Sequence, residues 1–107
     1  MATVRWVKKA IDERQKLFDC GEELFGIMTA IKTSERIDQL IFELSKYPTI
    51  GHPETALKEK RYFYRARNIN KRFKLIYWYE EKIDVVVIAD IWNTRMNPKT
   101  LAKRIKQ

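Results

Sequence analysis

The spacing of the apolar residues changes once along this chain of 107 residues, near Leu57. Before that point they recur every three or four residues, which is the period of one face of an α-helix. After it, apolar and polar residues alternate, which is the period of a β-strand. A helical first half followed by a strand-rich second half predicts an α+β fold, formed as a single domain over residues 1–107.

The first half predicts one short strand and two helices. Residues 2–7 are rich in β-branched and aromatic side chains and predict a strand. The apolar stripe that follows predicts a long helix over residues 9–31, and Gly21 on this stripe would let a partner helix approach closely. Residues 32–34 interrupt the stripe and offer a helix cap, so a second helix is expected from there to Pro48. Such a pair of helices predicts an antiparallel hairpin.

The second half predicts three antiparallel strands and a short closing helix, over residues 61–67, 72–79, 83–92 and 101–105. In the last strand the expected core side is formed by Val85, Val87, Ala89 and Ile91. With the first strand, these elements predict an antiparallel sheet of about four strands. We expect the helical hairpin to pack on one face of this sheet and the other face to stay open.

Basic residues alternate with apolar residues in the predicted central strands. Arg65 and Arg67 alternate with Tyr64 and Ala66, and Lys74 alternates with Phe73 and Leu75 in the next strand. We therefore expect the three cations to share the open face of the sheet.

The excess positive charge lies entirely in the second half of the chain. Through Leu57 there are 8 basic and 9 acidic residues, a balance of −1, whereas from Lys58 onward there are 14 basic and 5 acidic residues, a balance of +9. This asymmetry indicates an anionic partner, either nucleic acid or an acidic protein. The alternative is a solvated surface with an incidental bias.

Several function classes are disfavoured by composition. One cysteine, Cys20, and one histidine, His52, make neither an internal disulfide nor a zinc site. There is no glycine-rich phosphate loop, so no metal or organic cofactor is expected. The longest apolar run, Val85–Ala89, is too short to span a membrane, and the first residues lack a signal-peptide core, so we expect a cytoplasmic protein.

Three stretches in this order carry a resemblance to a known family: Tyr47–Gly51, Tyr64–Arg67 followed after a short loop by Phe73–Tyr77, and Ile91–Pro98. The middle stretch reads aromatic–basic–apolar–basic and then, after the loop, aromatic–basic–aliphatic–aliphatic–tyrosine. In these motifs and in its order of elements, nearly the whole chain resembles the RelE/ParE superfamily. Its members are the toxins of bacterial type II toxin–antitoxin systems, which serve in plasmid stabilisation.

The resemblance implies one of two activities and a set of site residues. RelE-like members enter the ribosome and cut mRNA, whereas ParE-like members bind DNA gyrase and trap it on DNA. An antitoxin neutralises both kinds, and here its segment should be acidic or amphipathic. For RNA cleavage the family pattern implies four catalytic cations that stabilise the charged phosphate, namely Arg65, Arg67, Lys74 and Arg95. Four further residues are expected to bind RNA: Arg61, Arg72, Trp78 and Trp92.

Other interpretations of the same residues stay open at this point. The family often places a tyrosine or histidine near the C-terminus for acid–base work, and this chain has neither beyond Trp92. Arg65 and Arg67 could merely keep the sheet soluble, and Lys74 could pair with Asp90. Ribosome-dependent mRNA cleavage is the leading hypothesis, with gyrase inhibition and a non-toxic antitoxin-binding module as alternatives. Whether the protein is an enzyme is therefore left open.

Overall fold

The computed structural model describes residues 1–105 of the chain. The helices and strands follow in the order β1 (Thr3–Trp6), α1 (Lys8–Phe25), α2 (Ile27–Lys46), β2 (His52–Pro53), β3 (Tyr64–Asn68), β4 (Phe73–Glu80), β5 (Val85–Asn93) and α3 (Pro98–Arg104). Two short 3₁₀ turns, Thr55–Leu57 and Glu81–Ile83, lie in the connections before β3 and before β5. The expected α+β class, with a helical hairpin before the strands and a short closing helix, is confirmed.

The sheet has five strands in the order β1-β5-β4-β3-β2. The four strands from β2 to β5 pair antiparallel, but β1 pairs with β5 in the parallel direction. The sheet is therefore mixed and has one strand more than the sequence predicted. The additional strand, His52–Pro53, is only two residues long and carries no alternation that could reveal it.

The turn between the two helices lies at Gly26, so the expected break at residues 32–34 is wrong. Gly26 has a φ of 93°, a conformation that favours glycine, and its N–H bonds to the carbonyl of Glu22. Ser34 lies inside α2, where its hydroxyl accepts a hydrogen bond of 2.9 Å from Arg14. The break was misplaced because the apolar residues keep their helical spacing across Gly26. Such a stripe does not show where one helix ends and the next begins.

The hairpin covers one face of the sheet, which we call the helix-side face. Its core is formed by buried residues of both helices and of the strands: Ala10, Ile37, Leu40, Leu44, Leu75, Tyr77, Val86, Ile88 and Ile91. Burying a side chain of this size contributes roughly 1.5–3 kcal/mol, so these contacts are the main stabilisation of the sheet. The expected packing of the hairpin on one sheet face is confirmed.

The opposite face, which we call the α3-side face, is also covered, so the expectation of an open face is wrong. α3 and the segment before β3 pack on it and form a second core: Leu57, Tyr64, Ala66, Ile76, Ala89, Trp92, Leu101 and Ile105. A sheet that is apolar on both sides needs a cover on both sides. Leu101 of α3 and Ile105, which directly follows α3, provide that cover.

A bulge in β5 reverses the alternation that the sequence suggested. Ile76 pairs with Asp90 and the next residue, Tyr77, pairs with Ile88, so Ala89 is skipped in the register. An extra residue in one strand moves every later side chain to the opposite face.

The expected core side of β5 is consequently wrong except at its end. The helix-side core contains Val86, Ile88 and Ile91, of which only the last was predicted to lie there. Val87 pairs with Trp78 and so shares the α3-side face.

Candidate functional site

The register between β3 and β4 divides the basic residues that were expected to lie together. Arg65 pairs with Tyr77 and Arg67 pairs with Leu75, and both β4 residues belong to the helix-side core. Lys74 directly precedes Leu75 in the strand, so its side chain lies on the α3-side face. The prediction that these three cations share one open face is therefore wrong. A shift of one residue in strand pairing is enough to produce this difference.

Arg65 holds the loop between α2 and β2. Its Nη1 donates to the carbonyl oxygens of Thr49 at 3.2 Å and Gly51 at 2.9 Å, and its guanidinium lies 4.8 Å from the ring centroid of Phe63. The hydroxyl of Tyr77 accepts a hydrogen bond of 2.8 Å from the Gly51 N–H. Burial raises the pKa of Tyr77 above its ordinary value of 10.0, so the hydroxyl stays protonated. These hydrogen bonds of Arg65 and Tyr77 with Thr49 and Gly51, which we call the clasp, fix the α2–β2 loop to the sheet.

The other two central-strand cations are held by carboxylates of the same chain. Arg67 bonds to Glu43 of α2 at 2.9 Å, with 18% of its side chain exposed. Lys74 pairs with Glu54 at 2.5 Å, with 19% of its side chain exposed, rather than with Asp90. Reaching a phosphate would require each of them to exchange its present partner.

The two tryptophans predicted to bind RNA lie within the second core. Trp78 stacks on Tyr62 with ring centroids 3.7 Å apart and planes 5° apart, so one face of its indole is covered. Trp92 is 2% exposed, and the guanidinium of Arg104 lies 5.1 Å from its ring centroid. Neither indole offers a free pair of faces on which a base could stack.

Three predicted residues, Arg61, Arg72 and Arg95, are exposed. The fold brings two of them to the same end of the sheet, because the Thr94 N–H donates to the carbonyl of Arg72 at 2.7 Å. Arg61 lies in the segment before β3, with its guanidinium 5.3 Å from the ring centroid of Tyr62. Within residues 1–105 none of the three arginines forms a salt bridge, so they are available to an anionic partner.

Sequence reasoning missed a groove of about 340 Å³ between α1 and the end of the sheet. Its apolar wall is formed by Leu17, Cys20, Leu24, Phe25 and Phe73, and Arg72 and Asn93 line it at the sheet end. A smaller cavity of about 130 Å³ shares three of these residues and extends the groove toward Ile91. The volume of the groove and its lining of apolar and polar residues suit the apolar side chains of a bound segment.

The tip of the helical hairpin, beside this groove, is apolar and exposed. Leu24 is 70% exposed, Phe25 61%, Ile27 48% and Met28 63%. Leu24 and Met28 belong to the apolar stripe over residues 9–31, which a buried helix face would place in the core, but the structure leaves both exposed. Exposed apolar side chains that adjoin one another are typical of surfaces that bind another macromolecule.

Positive charge lies at the sheet end of the groove. Arg72 lines the groove, and its chain neighbour Lys71 and the nearby Arg95 are exposed as well. An apolar groove beside such cations can orient an acidic amphipathic segment through its charges as well as hold its apolar side chains. The strand alternation gave no sign of this arrangement, because groove and tip are products of the helix–sheet packing.

Among residues 1–105, no group of three histidine, cysteine or acidic side chains is placed to hold a metal ion. In the same part of the chain no helix is long and apolar enough to cross a bilayer.

A family model described as the ParE toxin of type II toxin–antitoxin systems, parDE, matches residues 4–98. No curated protein matches the chain at a significant level.

Solved structures share the fold at low sequence identity. A chain of the chromosomal ParDE toxin–antitoxin system from P. aeruginosa has a TM-score of 0.68 and 18% identity, over 87% of this chain and 96% of that chain. A metal-bound toxin from Helicobacter pylori has a TM-score of 0.66 and 15% identity, over 89% and 97%. A YoeB/ParE toxin from Agrobacterium tumefaciens has a TM-score of 0.59 and 15% identity, over 85% and 96%.

Proposed function

Because the chain belongs to the ParE toxin family of type II toxin–antitoxin systems, we propose that it arrests growth by binding DNA gyrase in the cytoplasm, and that a cognate antitoxin neutralises it. Its action on gyrase is binding, with no covalent chemistry by the toxin itself. Cleavage of ribosome-bound mRNA, which the sequence favoured by a small margin, becomes the competing hypothesis.

The observation that carries this proposal is the separation of the four cations that cleavage would use. Attack of a ribose hydroxyl on a phosphate gathers negative charge at one point, and several cations must converge there to stabilise it. Arg65 and Arg67 lie on one sheet face with partners from their own chain, whereas Lys74 lies on the other face with Glu54. Arg95 is exposed beyond the end of β5. Binding to a large protein requires no such convergence.

The groove and the hairpin tip support an antitoxin as the second partner. An amphipathic segment could place apolar side chains between Leu17 and Phe73 and cover Leu24 and Phe25. Carboxylates on such a segment would lie against Arg72 and its neighbouring cations. Coverage of the exposed apolar tip would stabilise the complex by the hydrophobic effect.

Purified protein separates the activities directly. We expect it to inhibit supercoiling of a relaxed plasmid by gyrase and to leave ribosome-bound mRNA intact in a cell-free translation system. Arg65→Gln and Lys74→Gln should leave gyrase inhibition unchanged in variants that remain folded. New mRNA ends inside ribosome-protected codons, with normal supercoiling and with loss of cleavage in both variants, would replace this proposal with the nuclease hypothesis. Normal growth and neither activity would indicate a binding module without toxicity.

A matched pair of surface variants tests the antitoxin surface. Leu24 at the hairpin tip and Ile83 in the turn before β5 are 70% and 63% exposed, so a charge at either position should leave the fold intact. We expect Leu24→Glu to weaken binding of the antitoxin encoded beside this gene by about tenfold or more, the range of a buried interface contact. Ile83→Glu should have no effect. Equal affinities of the two variants in a calorimetric titration would place the antitoxin elsewhere.

A further inference from the structure

A contact between Arg104 of α3 and the buried Asp90 of β5 joins α3 to the sheet. Arg104 Nη2 donates to Asp90 Oδ1 at 2.8 Å and lies 3.3 Å from an oxygen of Glu13 on α1. Asp90 is 0% exposed, and its Oδ1 also accepts the N–H of Ile91 at 2.9 Å. Its second oxygen, Oδ2, is buried and has no hydrogen-bond partner among the described residues. Burying an ionised carboxylate costs free energy when one of its oxygens has no hydrogen-bond partner.

α3 itself is a small element. It has seven residues, starts with Pro98 and is capped by Asn97, whose side chain accepts a hydrogen bond of 2.9 Å from the Lys99 N–H. A helix of this length is not stable alone, so its order depends on the contacts of Leu101, Ile105 and Arg104 with the sheet. If those contacts break, α3 leaves the α3-side face as a unit.

We propose that α3 is a detachable cover of the second sheet face, and that the protonation state of Asp90 sets how tightly this cover is docked. With a protonated Asp90, the buried site holds a neutral group and α3 is docked firmly. With an ionised Asp90, the buried charge favours release of α3, because release admits water to the carboxylate. The strand bulge that places Asp90 on the α3-side face thereby becomes part of a switch.

The direction of the switch follows from proton linkage. Burial raises the pKa of Asp90 from 3.8 to about 6, and it outweighs the opposing attraction of Arg104. When α3 leaves, water reaches the carboxylate and the pKa returns toward its ordinary value, so the docked form binds the proton more tightly. Docking is therefore favoured at low pH and weakens as pH rises through about 6.

Other charged groups face this site from each neighbouring element. Lys9 and Glu13 act on Asp90 from α1, and Lys16 lies 3.4 Å from Glu13. On β4 the residue across from Asp90 is the apolar Ile76, and the nearby Lys74 is paired with Glu54. An Asp90→Asn variant keeps all these groups and removes only the titrating carboxyl, which isolates its contribution.

Hydrogen exchange measured by NMR on the full chain tests the proposal. The Ile105 amide donates to the carbonyl of Leu101 at 3.1 Å and reports on docking of α3, whereas the Leu40 amide reports on the helix-side core. A pKa that falls from about 6 to 3.8 on release changes the opening equilibrium by about tenfold between pH 5 and pH 7.5. We expect the protection factor of Ile105 to fall by this amount over the range, and to lie below that of Leu40 at pH 7.5.

Two variants make the outcome decisive. In Asp90→Asn the protection of the Ile105 amide should no longer depend on pH. In Arg104→Met it should be lost far more at pH 7.5 than at pH 5, because only the ionised carboxylate needs the guanidinium. In the double variant that carries both Asp90→Asn and Arg104→Met, the protection of the Ile105 amide should again be independent of pH. The proposal fails if the wild-type protection of Ile105 does not change with pH, if Asp90→Asn keeps the change, or if Ile105 exchanges only at the rate of Leu40. None of these measurements depends on the target of the toxin.

Discussion

Removing the hydroxyl of Tyr77 tests whether the clasp on the α2–β2 loop stabilises the fold. In Tyr77→Phe the ring remains in the core, but the buried Gly51 N–H loses its acceptor at 2.8 Å. A buried donor without a partner costs about 1–3 kcal/mol. We therefore expect the free energy of unfolding to fall by about that amount, with a decrease in Tm of about 4–8 °C per kcal/mol.

The measurement is urea-induced unfolding followed by far-ultraviolet circular dichroism, with the free energy extrapolated to water. The same strand and sheet face provide a matched control, because the Tyr79 hydroxyl donates to the exposed Asp84 at 2.6 Å. In Tyr79→Phe water can replace the lost bond, so the loss of stability should be clearly smaller.

A loss in Tyr77→Phe no greater than that in Tyr79→Phe would refute the reasoning. So would an unchanged exchange rate of the Gly51 amide in Tyr77→Phe, because this amide should lose protection when its acceptor is removed. A change in the urea dependence itself would indicate an altered unfolded state instead of a lost bond.

Four further predictions follow from the three glycines and from Asp90. Gly21→Ala should raise the free energy of unfolding by up to about 1 kcal/mol, because the added Cβ would sit 3.8 Å from Ala30 and the helix gains propensity. Gly26→Ala should lower it by about 1–3 kcal/mol at a φ of 93°, and thermal unfolding of both variants checks the opposite signs. Gly51→Ala should also destabilise, because its Cβ would lie 2.6 Å from the Tyr77 hydroxyl; unchanged urea unfolding would contradict this. The folded state holds the proton of Asp90 up to about pH 6. Between pH 4 and pH 7.5 the free energy of unfolding of the wild type should therefore fall, relative to that of Asp90→Asn, by at most about 3 kcal/mol. Parallel pH profiles of the two proteins in urea unfolding would contradict this.

The order of helices and strands was readable from the sequence because each periodicity extends over many residues. The change near Leu57 separated the helical from the strand-rich half, and Pro48 marked the end of α2 correctly. The turn at Gly26 was missed, since a single glycine with a positive φ interrupts no apolar stripe. Gly21 was expected to permit a close helix contact, and it does face Ala30, although the gap has room for a methyl group.

The candidate site was less predictable because it depends on how strands align. Alternation shows which residues of one strand share a face, but it does not show which face of the next strand they join. That ambiguity placed Arg65 with Lys74 in the prediction and with Tyr77 in the structure. The bulge that leaves Ala89 without a partner in β4 likewise has no signal in the sequence. The exposure of Met28 at the hairpin tip is also a property of the packed molecule, because an apolar stripe does not show which of its residues find a partner.

The pairing of β1 with β5 joins two segments that lie far apart in the sequence. Thr3 lies beside Val85, 82 positions later, so this pairing is among the most distant contacts that a chain of this length can make. Contacts of this kind form late and slowly. During synthesis β1 cannot pair until β5 has emerged from the ribosome, and a truncated product that ends before β5 lacks the strand that joins β1 to the rest of the sheet. The complete sheet can therefore form only after β5 has been synthesised.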